Sequence, residues 1–88
     1  MNASPIIALN HAAAVAMSEG PEKGLSLIER AARSGKLDNY YLLHAARGDL
    51  LRRVGRFDEA RTAYSRALEL TSNQVEKNYM RRRLNELT

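Results

Sequence analysis

The side chains most often used to bind metals or transfer protons are sparse in this chain and do not cluster. It contains two histidines, His11 and His44, and no cysteine. Zinc normally takes three or four protein ligands, and neither histidine lies in an HExxH-type motif, so His44 is expected to pack or to form a hydrogen bond. No serine is placed beside a base and an orienting acid. The sequence therefore predicts a protein that is not an enzyme and needs no metal or cofactor.

Arginines supply a different chemistry, the recognition of anionic groups. The net charge is +4: residues 1–46 hold four basic and four acidic residues, whereas residues 47–88 hold ten and six. Phosphate binding needs several cations on one face, but consecutive helical residues such as 81–83 point in directions about 100° apart. Glu76 and Glu86 dilute the charge further. Direct contact with nucleic acid is therefore not expected, and a basic second half favours an acidic protein partner.

Length and hydropathy limit the remaining classes. A chain of 88 residues can bury one modest core, so residues 1–88 are expected to form a single domain. The longest apolar stretch, residues 12–17, is far shorter than the ~20 residues of a membrane span. The start, residues 1–4, lacks the basic flank of a signal peptide. With no cysteine to form disulfides, a cytoplasmic protein without membrane contact is expected.

The positions of Gly, Pro and capping residues divide the chain into five predicted helices. Ser4 and Pro5 fit the N-cap and first position of a helix that runs to Glu19. Gly20 and Pro21 separate it from a second helix that runs to about residue 34. The remaining boundaries are expected at Gly35, at Asp38 or Asn39, at Gly55, and at Ser72 or Asn73.

Apolar residues recur at helical spacing, most clearly in the fourth helix, where polar residues occupy the opposite face. The fifth helix has a weaker stripe of Val75, Tyr79, Leu84 and Leu87. No segment has the alternation or β-branched clustering of a strand, so the fold is predicted to be all-α with antiparallel helix pairs. The predicted core comprises Leu43, Leu50, Leu51, Val54, Phe57, Tyr64, Ala67 and Leu68.

An internal repeat underlies this pattern. Shifting the chain by 36 positions aligns small with small and large apolar with large. The aligned pairs are Ala12 with Gly48, Val15 with Leu51, Gly24 with Ala60, Ile28 with Tyr64, and Ala31 with Ala67. This shift exceeds the ~34-residue period common among paired-helix repeats by about two residues, which we place near residues 34–37. A further shift of 34 positions from Gly48 reaches Arg82, so the fifth helix is expected to be a solvating cap.

Gly48, Leu51, Ala60, Tyr64 and Ala67 make the chain resemble a tetratricopeptide repeat. Its implied architecture is repeat one at about 5–34, repeat two at about 39–71 and a capping helix at about 73–87. Segments 5–10, 19–21, 41–47, 50–56, 67–71 and 81–84 also resemble the carboxyl-terminal extension of certain extracytoplasmic-function sigma factors. That resemblance implies a fragment of a longer bacterial protein whose own sigma regions or RNA polymerase core are the partners in regulating transcription initiation. His11 departs from it, since the family pattern has an arginine there.

The first helices of tetratricopeptide repeats line a concave groove that receives a peptide or a neighbouring domain. The resemblance places the following residues on or beside that groove: Leu9, Asn10, Ala13, Met17, Asp49, Arg52, Arg53, Tyr79 and Arg83. The first helix is apolar nearly all round, which indicates either an Ala-rich helix that tolerates exposure or a face covered by upstream chain or a partner. A generic adaptor that binds a peptide of an unrelated protein remains the alternative function.

Overall fold

The computed structural model describes the backbone of residues 5–87 and the side chains of residues 7–87. Within these residues there are five helices and no strand. The helices are α1 (Pro5–Glu19), α2 (Pro21–Ala32), α3 (Tyr41–Arg53), α4 (Phe57–Leu70) and α5 (Gln74–Glu86). Helices α1 and α2 pack as one pair and α3 and α4 as a second; α2 also packs on α3, and α5 packs on α4. This arrangement confirms the predicted all-α stack of two helix pairs followed by a fifth helix.

Local chemistry explains most helix boundaries. Gly20 has a backbone φ of 105°, which residues other than glycine rarely adopt. This conformation lets α2 begin directly after α1, with Pro21 in the first turn of α2. The Asn73 side chain accepts a 3.1 Å hydrogen bond from the backbone N–H of Glu76, which confirms it as the cap of α5. The predicted cap Ser4 lies outside the described residues.

The connection between the two pairs differs from the prediction. Helix α3 begins at Tyr41, and neither Asp38 nor Asn39 caps it. The Asn39 side chain instead accepts a 3.0 Å hydrogen bond from Arg66, and His44 Nε2 donates a 2.8 Å hydrogen bond to the backbone carbonyl of Asp38. The turn at residues 33–40 is thus held by local backbone bonds, such as the one from Tyr40 N–H to the Leu37 carbonyl, together with these two contacts. The predicted hydrogen-bonding role of His44 is confirmed.

Most of the predicted core is confirmed. Leu43, Leu50, Leu51, Tyr64 and Ala67 are buried, and Val54 and Leu68 are partly buried against them. Two apolar predictions are wrong: Phe57 is 50% and Val75 is 77% exposed. Both lie in the first turn of their helix, and helical side chains lean toward the N-terminus, so these two project past the end of the packed surface.

Glycines in helices allow the close approach that the repeat predicts. A Cβ atom on Gly48 would lie 2.9 Å from the ring atoms Cδ1 and Cε1 of Tyr64. A Cβ atom on Gly24 would lie 2.5 Å from the Cβ of Ala16. Each helix pair therefore packs through a residue without a side chain, once on α2 and once on α3.

Candidate protein-binding groove

A groove with a cavity volume of about 170 Å³ lies between α1 and α3. Four of the predicted site residues come together in it: Ala13 and Met17, one turn apart on α1, and Asp49 and Arg53, one turn apart on α3. Most of its surface is apolar, with the two charged side chains at α3. The full lining is Ala13, Ala16, Met17, Ile28, Ala46, Asp49, Leu50 and Arg53. We call this feature the α1–α3 groove.

Sequence reasoning missed four lining residues: Ala16, Ile28, Ala46 and Leu50. Ile28 belongs to α2, and only the first helix of each pair was considered for the groove. Ala46 could have been found from spacing alone, because Ala46, Asp49 and Arg53 recur at three and four positions on one face of α3. Leu50 was predicted as core, and it also borders the groove.

The assignment of Leu9 to the groove is wrong, because Leu9 is only 7% exposed and belongs to the core. Within residues 7–19 of α1, the buried residues are Leu9, Ala12 and Ala16, at a spacing of three and four that follows one helical stripe. Asn10 is exposed but does not line the groove. Helix α1 is apolar on nearly all sides, so hydropathy alone did not distinguish its buried face.

Asp49 joins three helices through one carboxylate oxygen. The hydroxyls of Tyr64 on α4 and Tyr79 on α5 both donate hydrogen bonds to its Oδ1 atom, the second at 2.7 Å. Arg52 donates a 3.2 Å hydrogen bond from Nε to the Tyr64 hydroxyl, and its guanidinium lies 3.8 Å from Asp49. Arg52 is therefore held in place beside the groove and does not line it.

Arg83 is held in the same way on α5. Its Nε donates a 3.2 Å hydrogen bond to the Tyr79 hydroxyl, its guanidinium lies 5.2 Å from the centre of the Tyr79 ring, and it pairs with Glu86 at 2.9 Å. Arg53 differs from Arg52 and Arg83, because it is exposed and no ion pair to it is found among residues 7–87. Of the predicted basic residues, only Arg53 lines the groove.

Burial keeps the two tyrosines protonated. It raises the pKa of the Tyr64 hydroxyl, and the hydrogen bond to Asp49 raises it further, while Arg52 opposes the shift. Burial also raises the pKa of Tyr79; Arg83 lowers it and Asp49 raises it. Both phenols are therefore neutral donors at neutral pH, which is the state that the hydrogen bonds to Asp49 require.

A second link joins the beginnings of α3 and α5. The Tyr41 hydroxyl donates a hydrogen bond to one oxygen of Glu76, and the Thr71 hydroxyl donates to the other at 2.5 Å. Burial and the hydrogen bond to Glu76 raise the pKa of Tyr41 to about 12. The hydrogen bonds from Thr71 and Tyr41 in turn lower the pKa of Glu76. The position of α5 relative to α3 is thus fixed near the start of both helices as well as at Asp49.

Other possible sites in the described part of the chain are less specific. A cleft of about 550 Å³ beside α2 is lined by side chains of both charges, including Glu22, Glu29, Arg33 and Arg56. No group of three or more His, Asp or Glu side chains in residues 7–87 could hold a metal ion. None of the helices described is long and apolar enough to cross a membrane.

The paired helices, the small residues at their crossings and the groove between α1 and α3 define a helical-repeat domain. The tetratricopeptide repeat-like domain family matches residues 2–88, and the chain belongs to that family. Domains of this family generally mediate protein–protein interactions and are generally non-catalytic.

One relative is an uncharacterized protein of Rhizobium meliloti (strain 1021), to which the chain is 43% identical over 84 residues. The match covers 96% of this chain but only 19% of the length of the relative. No solved structure matches the chain significantly.

Proposed function

We propose that this domain binds a protein partner through the α1–α3 groove, and that the partner is the sigma regions of its own polypeptide or the RNA polymerase core. In that role it modulates transcription initiation in the cytoplasm as part of an extracytoplasmic-function sigma factor. The resemblance of six segments to the extension of those factors supports this choice. The relative from Rhizobium meliloti is consistent with it, since most of that protein lies outside the match.

The observation that carries the proposal is the pairing of an exposed apolar side chain with an unpaired cation in one groove. Met17 is 85% exposed at one edge, and Arg53 lines the same groove from α3. A partner that covers Met17 and Ala13 would gain about 25 cal/mol per Å² of apolar surface buried, before the costs of association. A carboxylate beside Arg53 would orient the partner and speed its encounter with the groove.

Replacing Met17 tests the apolar half of the groove. Met17→Asp should weaken binding to the purified sigma regions or to core polymerase by at least about tenfold, or ~1.4 kcal/mol. Val75→Asp is the matched control, because Val75 is similarly exposed but lies on α5, outside the groove. Equal binding of both variants and the parent in a titration would rule out the groove as the docking site.

Replacing Arg53 tests the charged half. Arg53→Glu should lower the association rate and reduce its dependence on salt, because rim charges act mainly on encounter. Arg82→Glu is the control with the same change of charge: Arg82 is also exposed and does not line the groove. Stopped-flow association at two salt concentrations measures both effects, and an equal response of the two variants would contradict a specific role for Arg53.

A generic adaptor remains the alternative, and the same variants distinguish it. An adaptor would lose binding to an unrelated protein on Met17→Asp while neither sigma regions nor polymerase bound the parent domain. The sequence encoded ahead of Pro5 in the native gene is a second discriminator, because promoter-reading sigma helices there would support the sigma-factor assignment.

A further inference from the structure

The inner faces of α1 and α3 correspond at the 36-residue spacing of the repeat. Leu9 and Ala12 on α1 correspond to Ala45 and Gly48 on α3, and all four are buried. Ile28 and Tyr64, which pack against these helices from α2 and α4, correspond in the same way and are also buried. The two repeats therefore have the same register, and their differences can be compared position by position.

The two helices differ on one further face. On α3 this face consists of Leu43, Arg47, Leu50 and Val54, which are buried or half-buried. The corresponding residues of α1 are all exposed: Ile7, His11, Ala14 and Ser18, which we call the outer face of α1.

Helix α2 covers the face on α3. The Arg47 guanidinium donates a hydrogen bond to the Glu29 carboxylate, and Ile28 lines the α1–α3 groove together with Leu50. Farther along, Leu25 of α2 and Val54, which follows α3, both line the cleft of about 550 Å³ beside α2. The chemistry of this contact is therefore an apolar stripe with one carboxylate that pairs with a cation of the helix beneath.

Helix α5, at the opposite end of the stack from α1, has a charged residue on the surface compared here. Arg82 on α5 stands 34 positions after Gly48 and is exposed to solvent. A charged residue at that position suits a helix on which no further helix packs. On the outer face of α1, by contrast, Ile7 is 60% exposed and the small Ala14 lies about two turns farther along the helix. The two ends of the domain are therefore not equivalent.

We infer that the outer face of α1 is the packing surface for an amphipathic helix that lies ahead of α1 in a longer polypeptide. This helix packs on α1 as α2 packs on α3. The helix places a large apolar side chain over Ala14 and a carboxylate beside His11. Hydrogen-bond complementarity follows from the repeat, because the imidazole of His11, which has an N–H donor in either protonation state, stands where Arg47 pairs with Glu29. This surface is separate from the α1–α3 groove, so the inference does not depend on the function proposed for the groove.

The repeat itself supplies the probe. In a variant chain, a second copy of residues 20–40 is inserted directly ahead of Pro5. Pro5 then follows the added copy as Tyr41 follows the original one, because Pro5 and Tyr41 are 36 positions apart. The added helix then precedes α1 in the register in which α2 precedes α3. Since the protein has no cysteine, Ala14→Cys introduces a single thiol on the outer face, and Ser65→Cys introduces one on the exposed surface of α4.

Docking of the added helix should slow labelling of the A14C thiol by about tenfold or more, equivalent to ~1.4 kcal/mol. Labelling of the S65C thiol should not change. Unchanged labelling at A14C, with circular dichroism showing that the added segment is helical, would overturn the inference.

Two further substitutions test the carboxylate. Glu29→Lys in the added copy should remove most of the protection, whereas Lys23→Glu in the same copy should not, because Lys23 faces solvent. His11→Arg should increase the protection by recreating the pair of Arg47 and Glu29. If both substitutions in the added copy had the same effect, the chemistry assigned to the docked helix would be wrong.

A free peptide of residues 20–34 tests where the helix comes from. The inference requires weak protection by the peptide, because a free helix pays the full entropic cost of association that the linked helix avoids. Protection by micromolar peptide equal to that in the duplicated chain would assign the face to a separate partner protein and overturn the same-chain assignment.

Discussion

The Tyr79 hydroxyl donates a 2.7 Å hydrogen bond to the Asp49 carboxylate, across 30 positions of sequence. The same carboxylate oxygen accepts the Tyr64 hydroxyl, so one atom of α3 orients side chains of α4 and α5. Asp49 also lines the α1–α3 groove. Stability of the second repeat and the shape of the groove are therefore coupled through this residue.

Removing one hydroxyl from this cluster should have a modest, measurable cost. Tyr79→Phe should lower the free energy of unfolding by about 1–2 kcal/mol, because it removes both the hydrogen bond donated to Asp49 and the one accepted from Arg83. Tyr40→Phe is the control, because Tyr40 is also half-buried but makes no side-chain hydrogen bond within the described residues. Urea denaturation measures both, and a Tyr79→Phe variant as stable as Tyr40→Phe would show that the two hydrogen bonds of the Tyr79 hydroxyl make no net contribution.

Gly48 and Tyr64 should show a strong energetic coupling. In an exposed helix, replacing glycine by alanine stabilises by about 1 kcal/mol, but here the new methyl group would lie 2.9 Å from the Tyr64 ring. Gly48→Ala should therefore destabilise by about 1–3 kcal/mol. The cost should fall when Tyr64→Ile is present, since the pair then matches Ala12 and Ile28 of the first repeat.

A double-mutant cycle in urea tests this coupling, with the stability of both single variants and the double variant compared with the parent. Ser65→Ala serves as the control partner for Gly48→Ala, because Ser65 is exposed on the opposite side of α4. Additivity of Gly48→Ala and Tyr64→Ile within about 0.5 kcal/mol would contradict the proposed contact.

The sequence predicted the elements that depend on local chemistry. Helix boundaries marked by Gly20, Pro21 and Asn73 are where capping rules place them, and the small residues at Gly24 and Gly48 predicted the helix crossings. Phe57 was misplaced because periodicity identifies a stripe but not where the partner helix ends. The cap of α3 was misplaced, and the Asn39 side chain bonds instead to Arg66 of α4, a contact that no local pattern indicates.

The groove was predicted only in part, for two physical reasons. Hydropathy could not orient α1, where almost every position is apolar, so Leu9 was placed on the wrong face. The cluster around Asp49 depends on residues 15 and 30 positions away and on the directions of long side chains. Such contacts follow from the packed structure, and no local pattern in the sequence indicates them.

The free energy of unfolding should fall as the pH rises above about 10, because the unfolded chain then loses tyrosine protons that the folded state retains. The folded state raises the pKa values of Tyr41, Tyr64 and Tyr79 above the ordinary value of 10.0. Below pH 10 both states hold these protons and stability is at its full value; above it, the unfolded chain releases them and stability falls as pH rises. Urea midpoints measured from about pH 9 to 12 should therefore decrease, and Tyr79→Phe should reduce the slope. A slope unchanged by Tyr79→Phe but reduced by Tyr40→Phe would contradict this assignment.

The same substitution at two apolar residues of α1 should change the free energy of unfolding by very different amounts. Leu9→Asp places a carboxylate in an apolar core site that is only 7% exposed, and it should destabilise the domain by about 3 kcal/mol or more. Met17→Asp changes a side chain that is 85% exposed and should alter stability by no more than about 0.5 kcal/mol. Circular dichroism during urea denaturation measures both on the same scale. If Leu9→Asp were as stable as the parent while Met17→Asp unfolded, α1 would be rotated about its axis, and Leu9 would face the groove as the sequence alone predicted.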